Sequence, residues 1–159
     1  MSRILIAAII AVSLGAASLG GAAWAAGKGS YYYPPVDSEE VFARELAVAP
    51  LADRTVRVGL TTLITKAQLA APESPRFVIF AKGDEARQMI IVALDDQVFR
   101  TIYRARAVLA QLTSNVRGAD FFANNIQDYA TWFDLARMLG FKDLVISDGA
   151  TWSHRVIFE

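Results

Sequence analysis

Phe77-Val78-Ile79-Phe80-Ala81-Lys82-Gly83-Asp84-Glu85-Ala86-Arg87-Gln88-Met89-Ile90-Ile91-Val92-Ala93 is the stretch that decides the fold. Two apolar runs, 77–81 and 89–93, flank the polar segment Lys82-Gly83-Asp84-Glu85. Short β-branched runs around a short polar link read as an antiparallel hairpin. Neither run alternates cleanly with polar residues. Each strand therefore needs cover on both faces and belongs in the middle of a sheet.

On the C-terminal side, Asp95 and Asp96 stand where a helix N-terminus favours negative charge. Val98, Ile102, Ala105, Leu109 and Leu112 then repeat at helical spacing, and Gly118 marks the exit. Asn125 reads as the cap of a second long helix with Tyr129, Phe133, Ala136 and Leu139 inward. Gly140 ends it, and Phe141 can close a Schellman-type contact. Leu144-Val145-Ile146-Ser147, the turn pair Asp148-Gly149 and Trp152 to Phe158 read as a final hairpin. In that last strand Trp152, His154, Val156 and Phe158 share one face; Ser153, Arg155 and Ile157 share the other.

On the N-terminal side, Thr65 with Gln68 reads as the start of a short helix closed by Pro72 and Pro75. Val56, Val58 and Leu60 alternate with Thr55, Arg57 and Gly59, as in a half-buried strand. Asp37 with Glu40 reads as a capping box for a short helix to Leu46, ended by Pro50. Strands joined by tight turns, with helices in a block, predict an α+β domain over 38–159. Its expected core is a mainly antiparallel sheet of about five strands with two long helices on one face.

Residues 1–25 read as a secretory signal peptide. Arg3 supplies a basic start, Ile4 to Val12 is unbroken apolar sequence, and Ala23-Trp24-Ala25 offers a small-residue cleavage site. The product is expected in the periplasm, exported by a Sec-type route. The rival reading is a retained anchor, since the apolar stretch reaches the roughly 20 residues a span requires. Its second half is rich in Gly, Ala and Ser, which argues for cleavage. Residues 26–37, with Tyr31-Tyr32-Tyr33-Pro34-Pro35, read as an extended aromatic and proline tether. It serves either as an aromatic contact strip for a partner or as a strap packed on its own domain.

The chain has 16 basic and 16 acidic residues, and only Arg3 of these lies in 1–25. Such balance gives no electrostatic case for nucleic acid, and membrane contact follows only if the N-terminal segment is retained. The chain has no cysteine and one histidine, so a transition-metal site would depend on carboxylates. No metal and no cofactor is called for.

Asp148, Ser153 and His154 bring three triad-type residues into one hairpin. Ser153 and His154 point to opposite sheet faces, so they cannot pair as nucleophile and base. His154 beside Trp152 is therefore expected to act through packing and recognition. Arg100, Arg104 and Arg106 offer either an anion clamp or a solvated helix face.

Tyr32-Tyr33-Pro34-Pro35-Val36, Phe80-Ala81-Lys82-Gly83, Ile91-Val92-Ala93-Leu94, Tyr103-Arg104-Ala105-Arg106-Ala107 and Ile146-Ser147-Asp148-Gly149 with His154 make a recurring set. In these segments the chain resembles a group of small uncharacterised exported proteins from alphaproteobacteria. Some members carry the label molybdopterin-guanine dinucleotide biosynthesis protein A, which implies a GTP-dependent nucleotidyltransferase. That enzyme's glycine-rich, Lys-containing nucleotide loop has no counterpart here, so the resemblance carries over no catalytic residue.

Two functional readings follow. The first is a non-enzymatic periplasmic domain binding a protein or envelope partner through Trp152, His154, Asp148, Arg104, Tyr32 and Tyr33. The second is a small periplasmic enzyme or small-ligand carrier with its site near the C-terminal hairpin.

Overall fold

A computed structural model describes residues 32–45, 47–95, 99, 101–117 and 131–159. The expectations placed on 1–31, Leu46, Asp96, Val98, Arg100, Gly118, Asn125 and Tyr129 lie outside these residues. Five strands are present: β1 (Ser38–Phe42), β2 (Phe77–Lys82), β3 (Gln88–Ala93), β4 (Asp143–Ser147) and β5 (Ser153–Phe158). Three helices accompany them among the described residues: α1 (Arg54–Ala70), α2 (Ile102–Arg117) and α3 (Trp132–Met138).

The domain is α+β, and its single sheet runs β1-β5-β4-β3-β2, so β3 is interior as expected but β2, expected in the middle, is an edge strand with its apolar faces covered by α1 and the strap. The two hairpins, β2–β3 and β4–β5, are antiparallel as expected. The sheet as a whole is mixed rather than mainly antiparallel, because β3–β4 and β1–β5 pair in parallel. Each parallel pair is separated in sequence by helix-containing chain, which is what a parallel return requires.

Two N-terminal expectations are overturned. Residues 38–42 form a strand, not a helix. Asp37 does not cap the residues that follow it; its carboxylate accepts from the Ser153 amide at 2.8 Å, and its own amide donates to the Ser153 carbonyl at 3.0 Å. Residues 54–70 form one 17-residue helix instead of a strand followed by a short helix. Asp53 starts it by accepting from the Val56 amide at 2.9 Å. Thr65 is no cap, since its hydroxyl donates to the Thr61 carbonyl within the helix at 2.9 Å. The apparent alternation of Val56, Val58 and Leu60 conceals a helical period in which Arg57, Thr61 and Ile64 turn inward.

The first of the later helices follows its expected face; the second is shorter than expected and starts at Thr131, burying Trp132, Leu135 and Ala136 while Phe133 and Leu139 are half-buried. Ala105, Leu109 and Leu112 of α2 are buried. The seven-residue α3 starts at a capping box in which Asp134 accepts from the Thr131 amide at 2.7 Å. It ends as a Schellman motif: Phe141 N–H donates to the Ala136 carbonyl and Gly140 N–H to the Arg137 carbonyl, both at 3.0 Å. Gly140 has a φ of 76°, in the left-handed region.

The helices share one sheet face. Ile79, Met89, Ile91, Leu144, Ile146, Val156 and Phe158 meet Leu109, Leu112, Trp132 and Leu135 there, with Leu60 and Ile64 packed alongside. The strap covers the other face. Tyr32 meets Phe80 edge-on at 4.9 Å, Lys82 donates to the Tyr32 hydroxyl at 2.9 Å, and Ser153 Oγ donates to the Pro35 carbonyl at 3.0 Å. The tether is thus bound to its own domain over 32–37.

Arg57 is the polar tie beneath α1. It is 2% exposed. Its Nε donates to the Glu85 carbonyl at 2.8 Å, and its Nη1 donates to the carbonyls of Ala52 at 2.9 Å and Leu139 at 3.1 Å. The guanidinium thereby joins α1, the β2–β3 turn and the end of α3. Replacing it with Met removes the donor from all three carbonyls, so Arg57→Met is expected to cost about 1–3 kcal/mol in urea melts. Arg57→Lys is expected to recover less than half of that, because an ammonium cannot span the three carbonyls. A loss below about 1 kcal/mol for Arg57→Met would contradict this role.

Candidate functional site

β5 and its edge neighbour β1 carry the polar group most suited to chemistry. Their parallel register sets Ser38 opposite His154 and Glu40 opposite Val156. Ser38, Glu40 and His154 consequently project from the helix-packed face. His154 is 5% exposed. Its Nδ1 lies 2.8 Å from Ser38 Oγ, and its Nε2 lies 3.5 Å from Glu40 Oε1. The second distance lies beyond a good hydrogen bond but within reach of charge attraction. Nε2 is buried and has no hydrogen-bond partner among the described residues. With the Ser38 hydroxyl donating, Nδ1 accepts and Nε2 carries the ring proton toward Glu40. Arg106 Nη2 holds the other carboxylate oxygen of Glu40 at 3.0 Å.

Trp152 stacks near parallel to His154, with centroids 6.3 Å apart. This pair was expected from strand alternation. Asp148 stands apart from the ring: its Oδ1 accepts from the amides of Ala150, Thr151 and Trp152, and its Oδ2 from the Thr151 hydroxyl. Partial burial alone would raise the Asp148 carboxyl; these hydrogen bonds outweigh it and hold the pKa at about 2. Arg104 is exposed on α2, and the arginine at the His154–Glu40 group is Arg106 instead. Tyr32 and Tyr33 belong to the strap on the opposite face. Burial first, and the Asp143 carboxylate second, push the Tyr33 hydroxyl above its usual range. The six sequence-selected residues therefore divide among a turn, a strap, a helix surface and one ring pair.

Ser38 and Glu40 escaped the sequence reading because their segment was assigned to a helix. The period-two arrangement of Ser38, Glu40 and Phe42 was the available signal.

Two cavities of similar size flank α2. One, about 620 Å³, lies between β1 and the α2–α3 pair and is lined by Glu40, Phe42, Arg106, Leu109, Trp132 and Phe133 among others. The other, about 610 Å³, is a groove between α1 and α2. Leu60, Leu63, Ile64, Phe77, Leu112 and Leu135 form its apolar wall. Trp132 borders both cavities, and its buried indole N–H has no partner among the described residues.

Among the described residues no cluster of His, Asp or Glu could hold a metal ion, and no helix is long and apolar enough to cross a membrane. The chain matches no protein-family model, no curated protein and no solved structure.

The depressed Asp148 pKa fixes the sign of a pH effect. Ionised Asp148 stabilises the hairpin fully above its ordinary value of 3.8, and the contribution is lost as pH falls toward about 2. Solvent screening limits it to about 1 kcal/mol. Asp148→Asn is expected to lower stability by that amount at pH 7 and to match the wild type near pH 2, read from urea melts at both values. Equal melts at pH 7 would contradict the assignment.

Proposed function

We propose that this chain is an exported periplasmic domain that binds a partner protein, and that the groove between α1 and α2 receives an amphipathic helix of that partner. The observation that carries the reading is the groove itself: about 610 Å³ of apolar-walled space running beside a 17-residue helix.

Leu63, on its wall, is 66% exposed, and Leu69 on the same helix is 69% exposed. Small-ligand sites enclose most of their ligand's surface. A channel with a leucine open to this degree suits a helix laid along it, whose own polar face remains in water. The rim supports an uncharged contact, since Gln68, Gln111 and Asn115 border it, with Glu73 and Arg76 offsetting one another. Export to the periplasm is supported by Arg3, the apolar run and the Ala23-Trp24-Ala25 site. The strap residues Tyr32 and Tyr33 are engaged with their own sheet, so recognition is assigned to the helical face instead.

The test uses the full chain expressed with its own N-terminus and recovered from the envelope fraction. A dye-labelled amphipathic peptide of leucine and glutamine, long enough for about four turns, is titrated and read by anisotropy. Saturable binding is expected, and Leu63→Asp is expected to weaken it at least tenfold with an unchanged melt. A long-chain fatty acid is expected not to compete. Saturable fatty-acid binding without peptide binding would replace this reading with a small-ligand carrier. Binding of neither probe would overturn it.

A further inference from the structure

We infer that Ser38, His154 and Glu40 form a nucleophile–base–acid array that hydrolyses activated carboxylic esters with an apolar acyl chain. The inference is independent of the α1–α2 groove.

Three features carry it. Ser38 is exposed, so an incoming carbonyl can reach its hydroxyl. The base is already in place: 2.8 Å from Ser38 Oγ to His154 Nδ1 lies within the reach needed for proton transfer. The base also has a carboxylate behind it, within charge-attraction distance. Glu40 faces the far ring nitrogen, and Arg106 fixes Glu40 from α2. A weak hydroxyl nucleophile, an adjacent base and a third group orienting that base are the parts of nucleophilic catalysis. Ser153, the serine next to His154 in sequence, is excluded because it is buried on the opposite face against the Pro34 and Pro35 carbonyls.

The neighbouring cavity sets the substrate class. Glu40 and Phe42 line it, and Ser38 stands two residues before Glu40 on the same strand face, roughly 7 Å along. A carbonyl at Ser38 can thus extend its acyl chain past Glu40 toward Phe42, Leu109 and Phe133. Ser38, His154 and Glu40 themselves include no pair of oxyanion donors, a feature worth about a hundredfold or more in rate. The reaction is therefore assigned to activated esters rather than amides.

In the first step Ser38 Oγ bonds to the acyl carbon, and its proton passes to His154 Nδ1. The carbon–oxygen bond to the leaving group breaks, and His154 returns that proton to the departing alkoxide. Glu40 faces the imidazolium while it carries the extra charge. Water then attacks the acyl carbon and gives a proton to Nδ1. The Ser38–acyl bond breaks, the carboxylic acid leaves, and Ser38 regains its proton.

The array is tested on the full chain with a fluorophosphonate, mapped by peptide mass spectrometry, and with p-nitrophenyl esters. The adduct is expected on Ser38, with none formed by Ser38→Ala. p-Nitrophenyl octanoate is expected to exceed the acetate at least tenfold in kcat/KM. Glu40 is a positioning residue, so Glu40→Gln should slow labelling at least tenfold at an unchanged melting temperature. His154→Gln should abolish labelling. An adduct absent from Ser38 would overturn the inference. So would equal labelling rates for Glu40→Gln and the wild type, a comparison that stands even if His154→Gln fails to fold.

Discussion

The buried Arg57 guanidinium is the constraint on which the rest of the structure depends. Three carbonyls from distant parts of the chain converge on it. One belongs to Glu85, in a turn where Glu85 and Ala86 both hold positive φ angles of 58° and 53°. Left-handed geometry costs a non-glycine residue roughly 1–2 kcal/mol. A fixed donor beneath the turn offsets that cost and sets where β2 and β3 reverse. Leu139, just after α3, supplies another acceptor. A Cβ added at Gly140 would approach Arg57 Nη1 to 3.2 Å, so both φ and space favour glycine there. α1, the β2–β3 hairpin and α3 thus share one buried polar anchor.

That arrangement has a functional consequence at each side of α2. On one side, α1 is held against β2 and leaves the apolar groove open toward Leu63. On the other, α2 brings Arg106 to Glu40 at the sheet edge. The edge chemistry also requires the parallel pairing of β1 with β5. An antiparallel partner or a one-residue shift would place Ser38 and Glu40 on different positions relative to His154, or on the other face. The strap on the opposite face reinforces this register, because Asp37 exchanges both backbone and side-chain hydrogen bonds with Ser153.

Legibility in the sequence tracked how local the determining forces are. The hairpins at 77–93 and 144–158 were readable because a turn and two adjacent runs specify them. The α2 stripe and the Gly140–Phe141 stop were readable because helical period and capping act within a few residues. β1 was not, because Asp37 satisfies an amide of β5 rather than one in its own segment, and capping residues look alike in either use. α1 was misread because a short window of Val56, Val58 and Leu60 fits period two as well as a helix with half-exposed valines. Arg57 then looked like a solvated strand residue, since nothing near it in sequence reveals the carbonyls of Glu85 and Leu139. The helical reading of residues 38–42 hid Ser38 and Glu40. His154 and Trp152 were found together because alternation on one strand is local, whereas the partners of His154 come from an element far away in the chain.

Native-state hydrogen exchange on Arg57→Lys tests the anchoring claim most directly. Sub-global openings release linked segments together, and their amides then share one protection factor. Protection of the Ala52, Ala86 and Phe141 amides, all hydrogen-bonded in the fold, is expected to fall by a common factor, while the β4–β5 amides keep theirs. A loss confined to one of these three segments, or no loss, would contradict the account.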